Sequence, residues 1–207
     1  MGMALARAIY QITDADLRHM VLTREQLGEP LREFAALREG VLDNSAMAAH
    51  GFAGSTPDGL RNMGRITGYM REFGNREPGS ESREGTDLAA ATVVHLFDDE
   101  AKVGRWMTEV FVKEFLEHQG QTISEGVMLE RAEELVTQGF ADQAVALRAV
   151  HQGPMGRISS TVVDFRLGRI LGVCYVVTAG DGERLALTQQ MARALEKQIV
   201  RVALGAA

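Results

Sequence analysis

The run ILGVCYVVT, from Ile170 to Thr178, limits the fold more than any other part of the chain. Side chains on a strand point alternately to its two faces. Here both sets are apolar: Ile170, Cys174 and Val176 on one face, Leu171, Val173, Tyr175 and Val177 on the other. Such a strand belongs inside a sheet that is covered on both sides. Its neighbour in sequence, Ile158 to Arg166, reads as a second strand, and Leu167-Gly168-Arg169 as the tight hairpin between them. Gln143 to His151 is a third strand, turned by Gly153, Pro154 and Gly156. Thr122 to Leu129 is a fourth, extendable to Glu134.

The covering layers are legible as helices. Asp98 or Asp99 caps a segment in which Val103, Trp106, Met107, Val110, Phe111, Phe115 and Leu116 recur at helical spacing, and Gly120 stops it. The last helix runs from about Glu183 to Leu204, with Leu187, Met191, Leu195, Ile199 and Val202 inward. Two more strands precede these elements. Leu88 to Phe97 is rich in β-branched residues and free of breakers, hence buried. Arg65 to Phe73 alternates, with its apolar face left open.

Before Gly64 the pattern is weaker. Ile12 to Leu22 reads as a helix capped at Thr13 or Asp14. Thr23 and Gln26 form a capping-box pair. Leu27, Leu31, Phe34 and Leu37 approach helical spacing, although Pro30 interrupts it. Ala46 to Ala49 makes a helical turn. Two stretches are soft: His50 to Gly64, which Phe52, Leu60 and Met63 can anchor, and Gly74 to Asp87, which has no apolar residue and reads as an exposed loop. The expected architecture is α+β: an α/β/α sandwich around a mainly antiparallel sheet over residues 65–207. A helical and irregular N-terminal segment, residues 1–64, packs on it, and the whole is a single folded unit.

The C-terminal half also carries a resemblance. FADQAVALRAV (Phe140 to Val150) followed by TVVDFRLGRILGVCYVVT (Thr161 to Thr178) resembles function-unassigned bacterial extracytoplasmic and lipoprotein-like domains, which look similar to the PsbP/Mog1 type of sandwich. Arg169 stands where that hairpin usually has Asn, and Ala141-Asp142-Gln143-Ala144 only approximates the preceding turn. The resemblance implies a fold and an envelope location. It carries over no catalytic residue.

A net charge of −6 argues against wholesale binding to nucleic acid or an anionic membrane. No stretch approaches the roughly 20 apolar residues of a transmembrane helix. The N-terminus as written is no signal peptide. The location is therefore extracytoplasmic if a leader was removed and cytoplasmic otherwise. The single cysteine, Cys174, reads as a buried apolar residue.

Catalytic motifs are missing from the sequence: no phosphate loop, no G-x-S-x-G and no H-E-x-x-H. His95 with Asp98 and Asp99 is a weak metal-ligand set, since the aspartates already serve as caps. Asp98/Asp99 and Glu133/Glu134 diverge as neighbours in sequence and read as solvated. Arg148 and Arg166 are weighed as a shared anion-binding face against ion pairing with Glu130, Glu133 or Asp164. No cofactor and no catalytic residue is assigned. The expected function is non-enzymatic binding of a small molecule or a protein partner, in a groove between the N-terminal part and the sheet lined by Phe52, Met63, Tyr69 and Trp106. A homodimer is a further expectation. The alternatives are a hydrolase-type enzyme built from scattered residues such as His50, Tyr69 and His95, or a structural and assembly protein.

Overall fold

The computed structural model describes residues 2–52, 54–75, 83–124, 126–154 and 156–206. Its eight strands are β1 (Ala35–Val41), β2 (Arg65–Gly74), β3 (Asp87–Phe97), β4 (Gln121–Ser124), β5 (Val127–Leu135), β6 (Gln143–Gly153), β7 (Gly156–Leu167) and β8 (Ile170–Ala179). They form one antiparallel sheet in the order β1-β2-β3-β8-β7-β6-β5-β4. β8 lies inside it, between β3 and β7. Leu167 pairs with Ile170 across the hairpin, and Gly168 supplies the positive φ of 56° that the turn needs.

The two faces of β8 enter two separate cores. Ile170, Cys174 and Val176 pack with Val94, Val163 and Phe165 beneath α1 (Met3–Gln11), α2 (Leu17–Met20) and α7 (Leu185–Ala203). On α7, Met191, Leu195 and Ile199 are fully inside. Leu171 and Val173 pack on the other side with Val103, Trp106 and Met107. That side is covered by α3 (Asn44–Ala49), α4 (Pro57–Asn62) and one helical rod. The rod consists of α5 (Glu100–Arg105), a π-helical stretch Trp106–Val112 and α6 (Lys113–Glu117). The architecture is thus an α/β/α sandwich, as the apolar pattern of β8 requires. Gly172 lets the Phe165 ring lie flat on β8, because a Cβ there would collide with the ring. Phe140 stacks on the far side of that ring at 5.3 Å.

Four expected elements differ from those observed. Leu27, Leu31 and Phe34 do turn inward, but through single 3-10 turns, and residues 35–41 form edge strand β1 rather than a helix. Gly40 weakens a helix here, and pairing along β2 from Ala35 to Val41 gives the segment its backbone partners instead. Thr122 to Glu134 is a hairpin of two strands, turned at Gly126 with φ 69°, rather than one strand. Ile12 to Leu22 is a 3-10 turn capped reciprocally by Thr13 and Asp16, then the short α2. Finally, the rod is not α-helical throughout. Its π stretch shifts the rows that follow, so Val112 is buried and Leu116, expected inside, is 38% exposed. The soft stretch Gly74 to Asp87 joins β2 to β3, and its residues 76–82 lie outside those described.

Candidate functional site

The soft stretch between His50 and Gly64 resolves into the end of α3, a loop and α4. Thr56 caps α4 by accepting a hydrogen bond from the Gly59 amide at 3.0 Å, with Pro57 opening the helix. Gly64 then turns the chain into β2 with φ 88°. A Cβ at that position would strike Asp98 and Lys102, so the end of α4 seats directly against the start of the rod. The Asp98 amide donates to the Gly64 carbonyl at 2.9 Å, and Lys102 Nζ donates to Asp98 Oδ2 at 2.7 Å. Asp99 caps α5 through its bond from the Ala101 amide.

Between α4 and the rod runs a groove of about 170 Å³, lined by Asn62, Met63, Lys102, Arg105, Trp106, Glu109 and Val110. Trp106, edge-on to Phe97 at 5.7 Å, is 7% exposed and forms part of the floor. Met63 stands 36% exposed at the lip. Lys102 is engaged by Asp98, whereas Arg105 has no ion pair among the described residues. Glu109 lies four residues beyond Arg105, a spacing that brings side chains together on an α-helix. Among the described residues the two nevertheless form no ion pair.

Of the four residues expected to line a groove, Met63 and Trp106 meet in this one. Phe52 stacks on His118 at 4.6 Å and meets Phe115 edge-on at 5.0 Å, outside the groove. Tyr69 pairs with Val94 of β3 and packs into the α7-side core, so the sheet separates it from Trp106. Lys102, Arg105 and Glu109 were legible only as the charged side of a helix. Their gathering depends on α4, which has no tertiary signal in the sequence.

The residues weighed for catalysis lie apart. His50 is exposed and its Nδ1 contacts the Ala46 carbonyl at 2.7 Å. His95 is 4% exposed on β3, beside Arg65 of β2, itself 1% exposed. Arg65 donates through Nη2 to the Leu42 carbonyl at 2.6 Å and through Nη1 to Asn44 Oδ1 at 2.6 Å. Its Nε and Nη2 face His95 Nδ1 at 3.2 and 2.9 Å. A guanidinium can only donate, so Nδ1 accepts and the imidazole proton resides on Nε2. Burial, reinforced by the Arg65 charge, holds His95 well below its usual pKa of 6.5, and burial lowers Arg65 to about 10. Gly68 makes this network fit, since a Cβ there would lie 2.8 Å from both Arg65 Nη2 and His95 Nδ1.

Arg148 and Arg166 do not share a face. Their partners on β7 and β6, Thr161 and Gln143, lie an odd number of residues from them along the paired strands, so the two side chains point to opposite faces. Arg148 Nη1 donates to Glu133 Oε1 at 2.8 Å, and Arg166 lies 3.8 Å from Glu100. Asp164 pairs with neither. It is 1% exposed on β7 between Val145 and Val173, and its Oδ1 has no hydrogen-bond partner among the described residues. Burial raises its pKa well above the usual 3.8. Cys174 is buried, and burial likewise raises its thiol pKa. Among the described residues no three His, Cys, Asp or Glu side chains converge as a metal site, and no helix is long and apolar enough to cross a membrane.

No family model and no curated protein sequence matches the chain. Among solved structures the fold is similar to the extracellular domain of PknH from Mycobacterium tuberculosis, with a TM-score of 0.61 and 7% identity. The match covers 91% of this chain and 96% of that one. An uncharacterized protein from Mycobacterium smegmatis, the Rv0999 ortholog, matches with a TM-score of 0.48 and 8% identity over 92% of this chain and 99% of its own, too distant to carry an argument. The chain therefore shares its sandwich with an extracellular domain at the level of fold alone.

Proposed function

We propose that this chain is a non-enzymatic recognition domain that engages a protein partner through the groove between α4 and the rod. The observation that carries the reading is the meeting of an apolar lining, Trp106 and Val110 with Met63 at the lip, with the Arg105 guanidinium, which has no ion pair among the described residues. Its volume of about 170 Å³ decides the size of the occupant. Sites for drug-sized molecules enclose about 300–1,000 Å³. This groove suits a single apolar side chain, with a neighbouring carboxylate meeting Arg105. Tryptophan, methionine and arginine are also the residues enriched where proteins recognise one another.

The shared fold with an extracellular domain supports an extracytoplasmic setting. The helix capped by Asp99 and the β7–β8 hairpin support the narrower kinship with PsbP/Mog1-type sandwiches. Two measurements test the proposal. A random peptide library is selected on the purified protein and counter-selected on the Arg105→Glu variant. Enriched peptides are expected to carry an apolar residue beside Asp or Glu and to lose most of their binding to the variant. Peptides that bind both proteins equally, or no enrichment at all, contradict the groove. Location is read separately, by an alkaline phosphatase fusion to the chain expressed with its natural upstream sequence. Activity is expected, and an inactive fusion contradicts the extracytoplasmic setting.

A further inference from the structure

On the α7 side of the sheet, α7 lies along β7 and β8. Beyond its start, β5, β6 and β7 border a second concavity of about 480 Å³, lined by Gln119, Glu130, Arg131, Val150, Arg157 and Asp181. Three arginines and three carboxylates meet in and beside it, but they are not equally matched. Arg157 forks onto Glu130 through two hydrogen bonds of 2.9 and 2.8 Å. Arg148 spends one donor on Glu133 at 2.8 Å. Arg131 forms no hydrogen bond with any described residue, and its Nη2 lies 4.0 Å from Asp181 Oδ2. Arg148 Nη2 lies 3.8 Å from the same oxygen. Two guanidinium groups thus converge on one carboxylate oxygen, each too far for a hydrogen bond.

Asp181 is held by little. It sits in the turn between β8 and α7, between Gly180, with φ 83°, and Gly182, and its side chain is 49% exposed. The turn itself is pinned, since the Gly180 amide donates to the Arg157 carbonyl at 2.8 Å and the Ser159 hydroxyl donates to the Gly182 carbonyl, so the aspartate moves aside by rotation of its own side chain.

We propose that this trough is an oxyanion site, in which Asp181 occupies the place of a carboxylate or phosphate group carried by a small soluble ligand. An incoming oxyanion displaces the Asp181 carboxylate and approaches Arg131 and Arg148, whose planar forks suit oxygens of either kind. Arg157 stays with Glu130 and borders the site. The site lies on the opposite face of the sheet from the Trp106 groove and does not depend on it.

The test is a titration of 15N-labelled full-length protein, following the arginine Nε–H resonances of Arg131 and Arg148 and the amides of residues 180–182. Sodium phosphate and sodium acetate are the two probes, each at an ionic strength held constant with sodium chloride, so that general screening is matched. Saturable shifts confined to these resonances are expected with at least one probe, and which probe acts assigns the ligand's anionic group. Asp181→Ala is expected to bind that probe about threefold more tightly, the scale set by losing a loose, half-exposed ion pair. Adding Arg131→Gln to Asp181→Ala is expected to abolish the shifts. Both positions are about half exposed, and a dispersed amide spectrum of each variant confirms that it folds. Shifts that grow linearly without saturation in both probes overturn the proposal. So does saturable binding that survives Arg131→Gln.

Discussion

Asp164 is a carboxyl flanked by Val145 and Val173, with an oxygen that no described residue satisfies. Its pKa is raised by burial, so the folded protein keeps a proton that the unfolded chain has released above its usual value of 3.8. Stability attributable to this residue therefore falls as pH rises from 3.8 towards the folded-state value, by about 1.4 kcal/mol for each pH unit in that window. His95 works in the other direction. Its pKa is depressed below 6.5, so stability is lost as pH falls below that value and the unfolded chain takes up the proton. Asp164→Asn carries no ionisable group and is expected to melt higher than the parent chain, by a margin that widens as pH rises above the usual carboxylate range and levels off once the folded-state pKa is passed. Calorimetry at a series of pH values checks this. A margin that stays constant with pH would show that Asp164 is charged in the folded protein.

At the scale of elements, legibility followed locality. The β7–β8 hairpin and α7 were readable because their signals, alternation on both faces and a full helical stripe, are complete within one segment. β1 was not readable because an edge strand with a mostly exposed burial pattern carries no alternation. The split of residues 122–134 into β4 and β5 rests on Gly126 alone. The π stretch in the rod leaves the apolar residues nearly where an α-helix would have them, and it shows only in the exchange of Val112 for Leu116. For the same reason only part of the site was visible. Tyr69 could be assigned to the groove while the face of β2 was open, and the register with β3 turns it to the α7 side. Arg169 had a role that only tertiary structure reveals. It reaches from the β7–β8 hairpin to the carbonyls of Tyr10 at 3.1 Å and Ile12 at 2.7 Å, at the C-terminal end of α1, and to Phe97 at 3.2 Å. Its guanidinium also lies over the Tyr10 ring at 5.7 Å. Arg169→Ala is expected to cost about 1–3 kcal/mol, the range for charged hydrogen bonds partly replaced by water. Amide hydrogen exchange should quicken first in residues 3–11. Exchange that quickens uniformly across the sheet would contradict this role as the staple of α1.

For the molecule as a whole, one eight-stranded sheet separates two cores and carries two concave surfaces on opposite faces. One is a small groove with an apolar floor and a guanidinium that has no ion pair among the described residues, and the other is a charged trough. The chain holds a single tryptophan, and it forms part of the groove floor. Its emission therefore reports on the groove without any label. The most direct test of the recognition reading is to titrate the protein with the dipeptide N-acetyl-leucyl-aspartate while following tryptophan fluorescence, alongside Arg105→Glu and Met63→Glu. A saturable change in emission is expected for the parent chain, weakened about tenfold in Arg105→Glu by loss of one charged contact, and reduced in Met63→Glu. Emission that stays unchanged to saturating peptide, or changes equally in all three proteins, would contradict the claim that this groove recognises a partner.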